Sequence, residues 1–94
     1  MKFSWDENKA KSNLLKHKVS FEEAKSVFLD ENARLIEDPD HSIDEDRFIL
    51  IGMSVKFKIL TVVHCYRDND EVIRIISARK ATKKEANQYK EFLL

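Results

Sequence analysis

The sequence predicts an α+β fold: an antiparallel sheet with helices packed on one face, its elements in the order β-α-α-β-β-β-β-α. Three observations lead there. The first third holds two stretches with helix-capping signals, and residues 47–79 hold three successive runs rich in Ile, Leu, Val and Phe. A third capping signal then opens an amphipathic C-terminal stretch. Ninety-four residues with a single Gly, Gly52, and a single Pro, Pro39, suggest one domain over residues 1–94, built of regular elements joined by short connections.

Each element has its own warrant. Residues 2–5 form a short strand, with Phe3 and Trp5 on one face at the period of two. Asp6 is a good N-cap for a helix over residues 7–18, which is rich in helix formers and carries Ala10, Leu14 and Leu15 on one side. Ser20 followed by Glu23 reads as a capping box for a second helix through about Leu29. Its apolar stripe is Phe21, Ala24, Val27 and Phe28, with Val19 in the hydrophobic-staple position. Residues 33–37 form a short strand, and residues 37–46 an acidic connection with six carboxylates, Pro39 and His41. Residues 47–54 and 57–67 are strands joined by a turn near Val55 and Lys56. Asp68-Asn69-Asp70 supplies turn chemistry before the strand at 71–79, so these three strands form a meander. Thr82 with Glu85 is the second capping box, and its helix carries Ala86, Tyr89, Phe92 and Leu93.

Alternation sorts the strand side chains. Ile59, Thr61, Val63, Cys65 and Arg67 share one face, opposite Leu60, Val62, His64 and Tyr66. In the last strand Ile73, Ile75, Ser77 and Arg79 oppose Val72, Arg74, Ile76, Ala78 and Lys80. Both faces are apolar in mid-strand and polar toward the ends, so the pattern does not choose which one the helices cover.

Composition bounds the function. Hydrophobic residues make up 43% and charged residues 36%, a balance that folds. The lone Cys65 excludes an internal disulfide, and no apolar run approaches the roughly 20 residues that span a bilayer. The first residues lack the apolar stretch of a signal peptide, so a soluble cytoplasmic protein with no membrane partner is expected. The net charge of zero conceals a split. Residues 1–46 hold 7 Lys/Arg against 12 Asp/Glu, and residues 47–94 hold 10 against 5. Two surfaces of opposite sign are one reading of that split, and interleaved solvating charge is the other.

Metal and cofactor chemistry finds no support in the motifs. His17, His41 and His64 are far apart, and the Asp38, Asp40, Asp44 cluster lacks the Gly and terminal Glu of a calcium loop. With only one Gly there is no phosphate loop or dinucleotide fingerprint, and Cys65 in mid-strand reads as a small buried hydrophobe. The C-terminal half is richer. Arg67, Arg74, Arg79 and Lys80 lie on or just after neighbouring strands, with His64 and Tyr66 beside them. RNA cleavage through the 2′-hydroxyl needs a base, an acid for the leaving 5′-oxygen, and cations for the phosphorane. His serves as acid or base near neutral pH, Arg matches phosphate in a bidentate way, and Tyr66 and Tyr89 are rings on which bases can stack. The bland counterpart is a solvated strand face, a core Tyr89 and a structural His64.

Four segments, "FSWDENKAKSNLLKHKVSFEEAKSVF", "DPDH", "RFILIG" and "IRIISARKATKKEANQY", resemble the BrnT toxin family in order and spacing, from Phe3 to about Tyr89. The resemblance implies a RelE-like ribonuclease of a type II toxin–antitoxin system, cleaving cellular RNA without metal or cofactor and arresting growth. It also implies a BrnA-like antitoxin with a ribbon-helix-helix type DNA-binding domain, through which alone the complex meets operator DNA. On the matching positions, Arg67, Arg74 and Arg79 are the phosphate and transition-state cations and His64 the acid or base. Lys9, Glu22 and Lys80 form a second tier, Glu22 being equally readable as an exposed first-turn carboxylate favoured by the helix dipole. The chain departs from many relatives in having Lys18 where they have a Gly-containing turn, and in a longer "HCYRDNDEV" turn without Gly. Two alternatives stand beside the enzyme: a non-catalytic module that only binds its partner in a repressor complex, and an RNA-binding protein that leaves RNA intact.

Overall fold

The computed structural model describes residues 1–37 and 46–93, so Asp38, Asp40, His41 and Asp44 lie outside the described residues. Strand β1 (Lys2–Ser4) leads into helix α1 (Glu7–His17) and helix α2 (Phe21–Ser26), which tightens into a 3₁₀ turn at Val27–Leu29. Strands β2 (Arg34–Glu37), β3 (Phe48–Met53), β4 (Ile59–Arg67) and β5 (Val72–Lys80) follow, and helix α3 (Lys83–Phe92) ends the chain.

The helix boundaries follow from local chemistry. The Asp6 carboxylate accepts from the backbone N–H groups of Asn8 and Lys9, two of the orphan donors of α1. Lys18 closes α1 in the left-handed region, at φ 61°, where its N–H reaches the Leu14 carbonyl. A Gly would hold that position without the steric cost of a side chain. Thr82 and Glu85 form the full reciprocal capping box on α3. The box expected at Ser20 is only half made: Ser20 accepts from the Glu23 N–H, but the Glu23 carboxylate turns inward to accept from the Ser54 hydroxyl at 2.7 Å. The Asp68-Asn69-Asp70 turn has three successive residues at positive φ (51°, 56° and 68°), a conformation that Asp and Asn tolerate best among non-glycine residues.

The sheet runs β1-β5-β4-β3-β2. The β2–β3, β3–β4 and β4–β5 pairs are antiparallel, but β1 lies parallel to β5, with Phe3 opposite Ile73. The sheet is therefore mixed, against the expected antiparallel one. Turn chemistry reports only strands joined by hairpins. β1 has no hairpin partner and takes the free edge of β5 after the rest of the chain has crossed the sheet.

The helices also divide between the two faces, against the expectation of one. Val19, Phe21, Ala24 and Val27 pack with Leu50, Leu60, Val62, Ile75 and Ala78 into one buried cluster, which places α1 and α2 on the face of Leu60 and Val62. Thr61 points the other way, and its hydroxyl donates to Glu85 of α3 at 3.0 Å. The C-terminal helix thus covers part of the second face.

Two polar side chains tie these layers together. Asn13, buried on α1, donates through Nδ2 to the carbonyls of Val19 (3.0 Å) and Ala78 (2.7 Å), and its Oδ1 accepts from the Ala78 N–H at 3.1 Å. Its amide stands in for a neighbouring strand on β5 beyond the short β1. Asp30 accepts from the Met53 N–H at 2.8 Å and from the Tyr89 hydroxyl at 2.6 Å, linking β3 to α3. Gly52 makes room for this corner: a Cβ there would sit 2.8 Å from the Ala33 Cβ and 2.9 Å from Val27 Cγ1.

Asn13→Ala leaves two carbonyls and one N–H without these partners in a buried place. The expected loss is about 2–4 kcal/mol, read as a lower urea midpoint with an unchanged slope. A midpoint within error of the parent would show that the Asn13 bridge is dispensable.

Candidate functional site

The cations of the C-terminal half are arranged by an irregularity that strict alternation does not anticipate. On β4 and β5, Thr61 pairs with Arg79 and Val63 with Ser77, but His64 pairs with Ile75, so Ile76 is an extra residue. This β-bulge resets the parity of β5. Directly paired residues share a face, so Arg79, Ser77, Arg74 and Val72 stand with Thr61, Val63, Cys65 and Arg67. Without the bulge Arg74 and Arg79, five residues apart, would point to opposite faces. With it, Arg67, Arg74 and Arg79 all project from the face opposite α1 and α2. Lys80, paired with Leu60, points to the helix side instead.

The three arginines do not form one cluster. Arg67 and Arg74 are diagonal neighbours at the end of the face next to β1, where Arg74 Nη1 lies 3.5 Å from the Ser4 hydroxyl. Arg79 lies at the other end, roughly 13 Å along the sheet by the rise of the four β4 steps from Cys65 to Thr61, the partners of Arg74 and Arg79. There it makes a bidentate pair with Glu85, Nη1 to Oε1 at 2.7 Å and Nη2 to Oε2 at 3.0 Å. Glu85 also accepts from the Thr61 hydroxyl and the Thr82 N–H. The Arg79 hydrogen bond is the main reason that the Glu85 carboxyl is held down to about 2, and the same bond raises Arg79.

His64 is fully buried, on the helix side of β4. Its ring meets Phe28 edge-on with centroids 4.9 Å apart, and Phe48 and Tyr66 close around it. Burial pushes its pKa down, so the imidazole is neutral at pH 7. It has no surface to offer a substrate directly. Its Nε2 lies 3.3 Å from the Tyr66 hydroxyl, however, and Tyr66 is only half-buried. Tyr66 lines a cleft of about 790 Å³ at the end of the sheet, together with Phe48, Cys65, Arg67, Asp46 and Asp70. Burial, reinforced by the Asp70 charge, raises the Tyr66 phenol, so it carries its proton at neutral pH. Among the expected residues, then, the cleft brings together Arg67 and Tyr66, with His64 behind the phenol.

The remaining expectations fall elsewhere. Tyr89 is 3% exposed and its hydroxyl bonds Asp30, so it packs as core and presents no ring for stacking. Its phenol is pushed up to about 12 by burial and by that carboxylate. Glu22 is exposed on α2 and borders a shallow hollow with Trp5 and Leu14, on the helix side of the sheet. Lys9 is exposed on α1, in a separate groove beside β5. Among the described residues no three His, Cys, Asp or Glu side chains come together as a metal would need. The sequence reading missed Glu85 as the partner of Arg79. Its only visible signal was the capping box, which accounts for the Glu85 backbone and one oxygen but not for the reach across to β5.

The Arg79–Glu85 pair has a pH signature. The folded value of Glu85, about 2, lies below its usual 4.5, so the stabilisation is complete above pH 4.5 and is lost as pH falls toward 2. The Arg79 side chain is 40% exposed, and solvent screening brings the effect to about 1 kcal/mol. Thermal unfolding followed from pH 5 to pH 2 should show a shallower acid decline for Glu85→Gln than for the parent. Superimposable curves would refute the pairing as a source of stability.

The chain matches known proteins in both sequence and shape. Residues 5–85 match the family model described as the ribonuclease toxin, BrnT, of type II toxin–antitoxin systems. None of the curated proteins matches the chain. The fold is similar to the 1.1 Å crystal structure of the Brucella abortus ribonuclease toxin BrnT, with a TM-score of 0.69 and 26% sequence identity, covering 88% of this chain and 99% of that one. A family of type II toxins implies an antitoxin partner. With the family match spanning most of its length and the fold in agreement, the chain belongs to the BrnT family of ribonuclease toxins.

Proposed function

We propose that this chain is an endoribonuclease that cleaves cellular RNA without a metal ion, at the end of the sheet where Arg67 and Tyr66 line one cleft and Arg74 stands diagonal to Arg67. The observation that carries this reading is the bulge at Ile76, which turns Arg74 onto the face of Arg67. Two adjacent guanidinium groups suit the charge that grows on a phosphorane. The 2′-hydroxyl attacks the neighbouring phosphorus and gives its proton to a carboxylate of the cleft, Asp70 being the one whose charge is felt at Tyr66. The leaving 5′-oxygen takes the Tyr66 proton, which is in place at neutral pH. His64, neutral and buried, holds the phenol from behind and acts as a positioning residue. The products are a 2′,3′-cyclic phosphate and a 5′-hydroxyl end. Arg79, paired with Glu85, fixes α3 over its end of the face.

In this reading a cognate antitoxin with a ribbon-helix-helix type DNA-binding domain covers the arginine face, silences cleavage and links the complex to operator DNA. The chain folds as one domain and works in the cytoplasm. A second reading draws on the burial of His64 and Tyr89, which removes two of the expected substrate contacts: a non-catalytic module that binds only its antitoxin.

The test is cleavage of single-stranded RNA by the purified protein in excess EDTA, with Arg74→Ala and Tyr66→Phe beside it. Cyclic phosphate ends, a rate down about 10²–10³-fold in Arg74→Ala and about 10²-fold in Tyr66→Phe are expected. Equal rates in all three would move the site elsewhere. Intact RNA throughout, with tight antitoxin binding, would favour the module.

A further inference from the structure

A second basic feature lies outside the cleft. One side of α1 and the adjoining part of β5 enclose a groove of about 320 Å³, whose lining includes Lys9, Ser12, Lys16, His17, Ile76 and Ser77. Lys9, Ser12 and Lys16 recur at three and then four residues, so they form one stripe along the helix. The two lysines stand roughly 10 Å apart on α1 and are exposed. Among the described residues none that lines the groove is acidic. Its floor is fixed by Asn13, whose amide clamps α1 to the Ala78 backbone, and by the bulged Ile76.

The position matters as much as the charge. β1 pairs with β5 only over Val72–Arg74, so the edge of β5 at Ile76 and Ser77 is covered by α1 and not by a strand. Ser77 shares its face with Arg74 and Arg79. The groove therefore opens across the edge of β5 onto the arginine face.

We propose that this groove is a second binding track for the ribose-phosphate backbone of single-stranded RNA, with Lys9, Lys16 and His17 holding nucleotides that extend beyond the arginine face. The inference rests on the ribonuclease reading above for the identity of its ligand. The lining chemistry favours RNA over a protein segment. Among the described residues it offers cations, hydroxyls and amides for phosphate and ribose oxygens, and one aliphatic side chain, whereas a protein partner is held chiefly by buried aromatic or apolar anchors.

The probe is a 20-nucleotide single-stranded RNA, 2′-O-methylated throughout so that it cannot be cleaved, with its dissociation constant measured over a range of salt. Lys9→Gln with Lys16→Gln should weaken binding about tenfold or more at low salt and flatten the log–log salt slope by about 1.4, since each lost phosphate contact removes about 0.7. Lys83→Gln with Lys84→Gln on α3, both exposed, removes the same charge from another surface and should leave affinity and slope near those of the parent. All four positions are exposed, and thermal unfolding checks that the variants fold. Unchanged binding in the first pair, or an equal loss in the second, overturns the track. So does a first pair that keeps RNA and loses the antitoxin. Cleavage of unmethylated RNA by the parent is measured alongside. Groove-dependent binding without cleavage sinks the enzyme reading alone, and cleavage with groove-independent binding sinks this one alone.

Discussion

The carboxamide of Asn13 is the contact on which the arrangement turns. A helix laid against the edge of a strand leaves backbone donors and acceptors facing apolar side chains, and burying them unpaired is costly. Asn is the side chain that carries both a donor and an acceptor in the geometry of a peptide group, and here it satisfies both sides of Ala78 while also holding the Val19 carbonyl. Val19 opens the connection between α1 and α2, so one residue fixes the helix, the turn after it and the edge of β5. The groove beside β5 exists because α1 cannot slide along that edge.

Carboxylates perform the same task at the other corners. Glu23 accepts from Ser54 and ties α2 to the turn after β3. Burial alone would raise the Asp30 carboxyl, yet hydrogen bonds from Met53, Tyr89 and Asn32 outweigh it and hold the group below its usual value. Glu85 joins α3 to β4 and β5 through Thr61 and Arg79. Part of the acidic content of the chain is thus structural mortar. The negative half of the sequence also carries basic surface: Lys9 and Lys16 belong to it, and they line a groove against a strand of the positive half.

The bulge at Ile76 joins this scaffold to the proposed chemistry. Its extra residue costs a disturbed stretch of ladder, and it places Ile73, Ile75 and Ala78 together on the buried side while Arg74, Ser77 and Arg79 share the other. Packing supplies the reason. Ile75 is 1% exposed and Ala78 not at all, and without a break in the period of two these residues, three apart, would not both reach the same core. The arginine face is thereby a by-product of core satisfaction.

Much of this was written locally. The caps at Asp6, Ser20 and Thr82, the Asp68-Asn69-Asp70 turn and the apolar runs of the meander are short-range statements, and they delimit helices and strands to within a residue or two. The family resemblance was equally a property of the chain read in order. Three things were decided only by tertiary structure. The parallel pairing of β1 joins residues seventy positions apart with no turn between them to announce it. The placement of α3 on the second face depends on Glu85 and Tyr89 finding Arg79 and Asp30. The exposure of each candidate side chain is the third: His64 is sealed among aromatic rings, Tyr89 is core, and Tyr66 keeps an outlet to the cleft. Sequence determines what each segment prefers within a few residues, because caps, turns and periodicity are local energies. Which preferences meet, and which side of a strand faces water, is settled by long-range packing and by a bulge whose only cause is that the core must close.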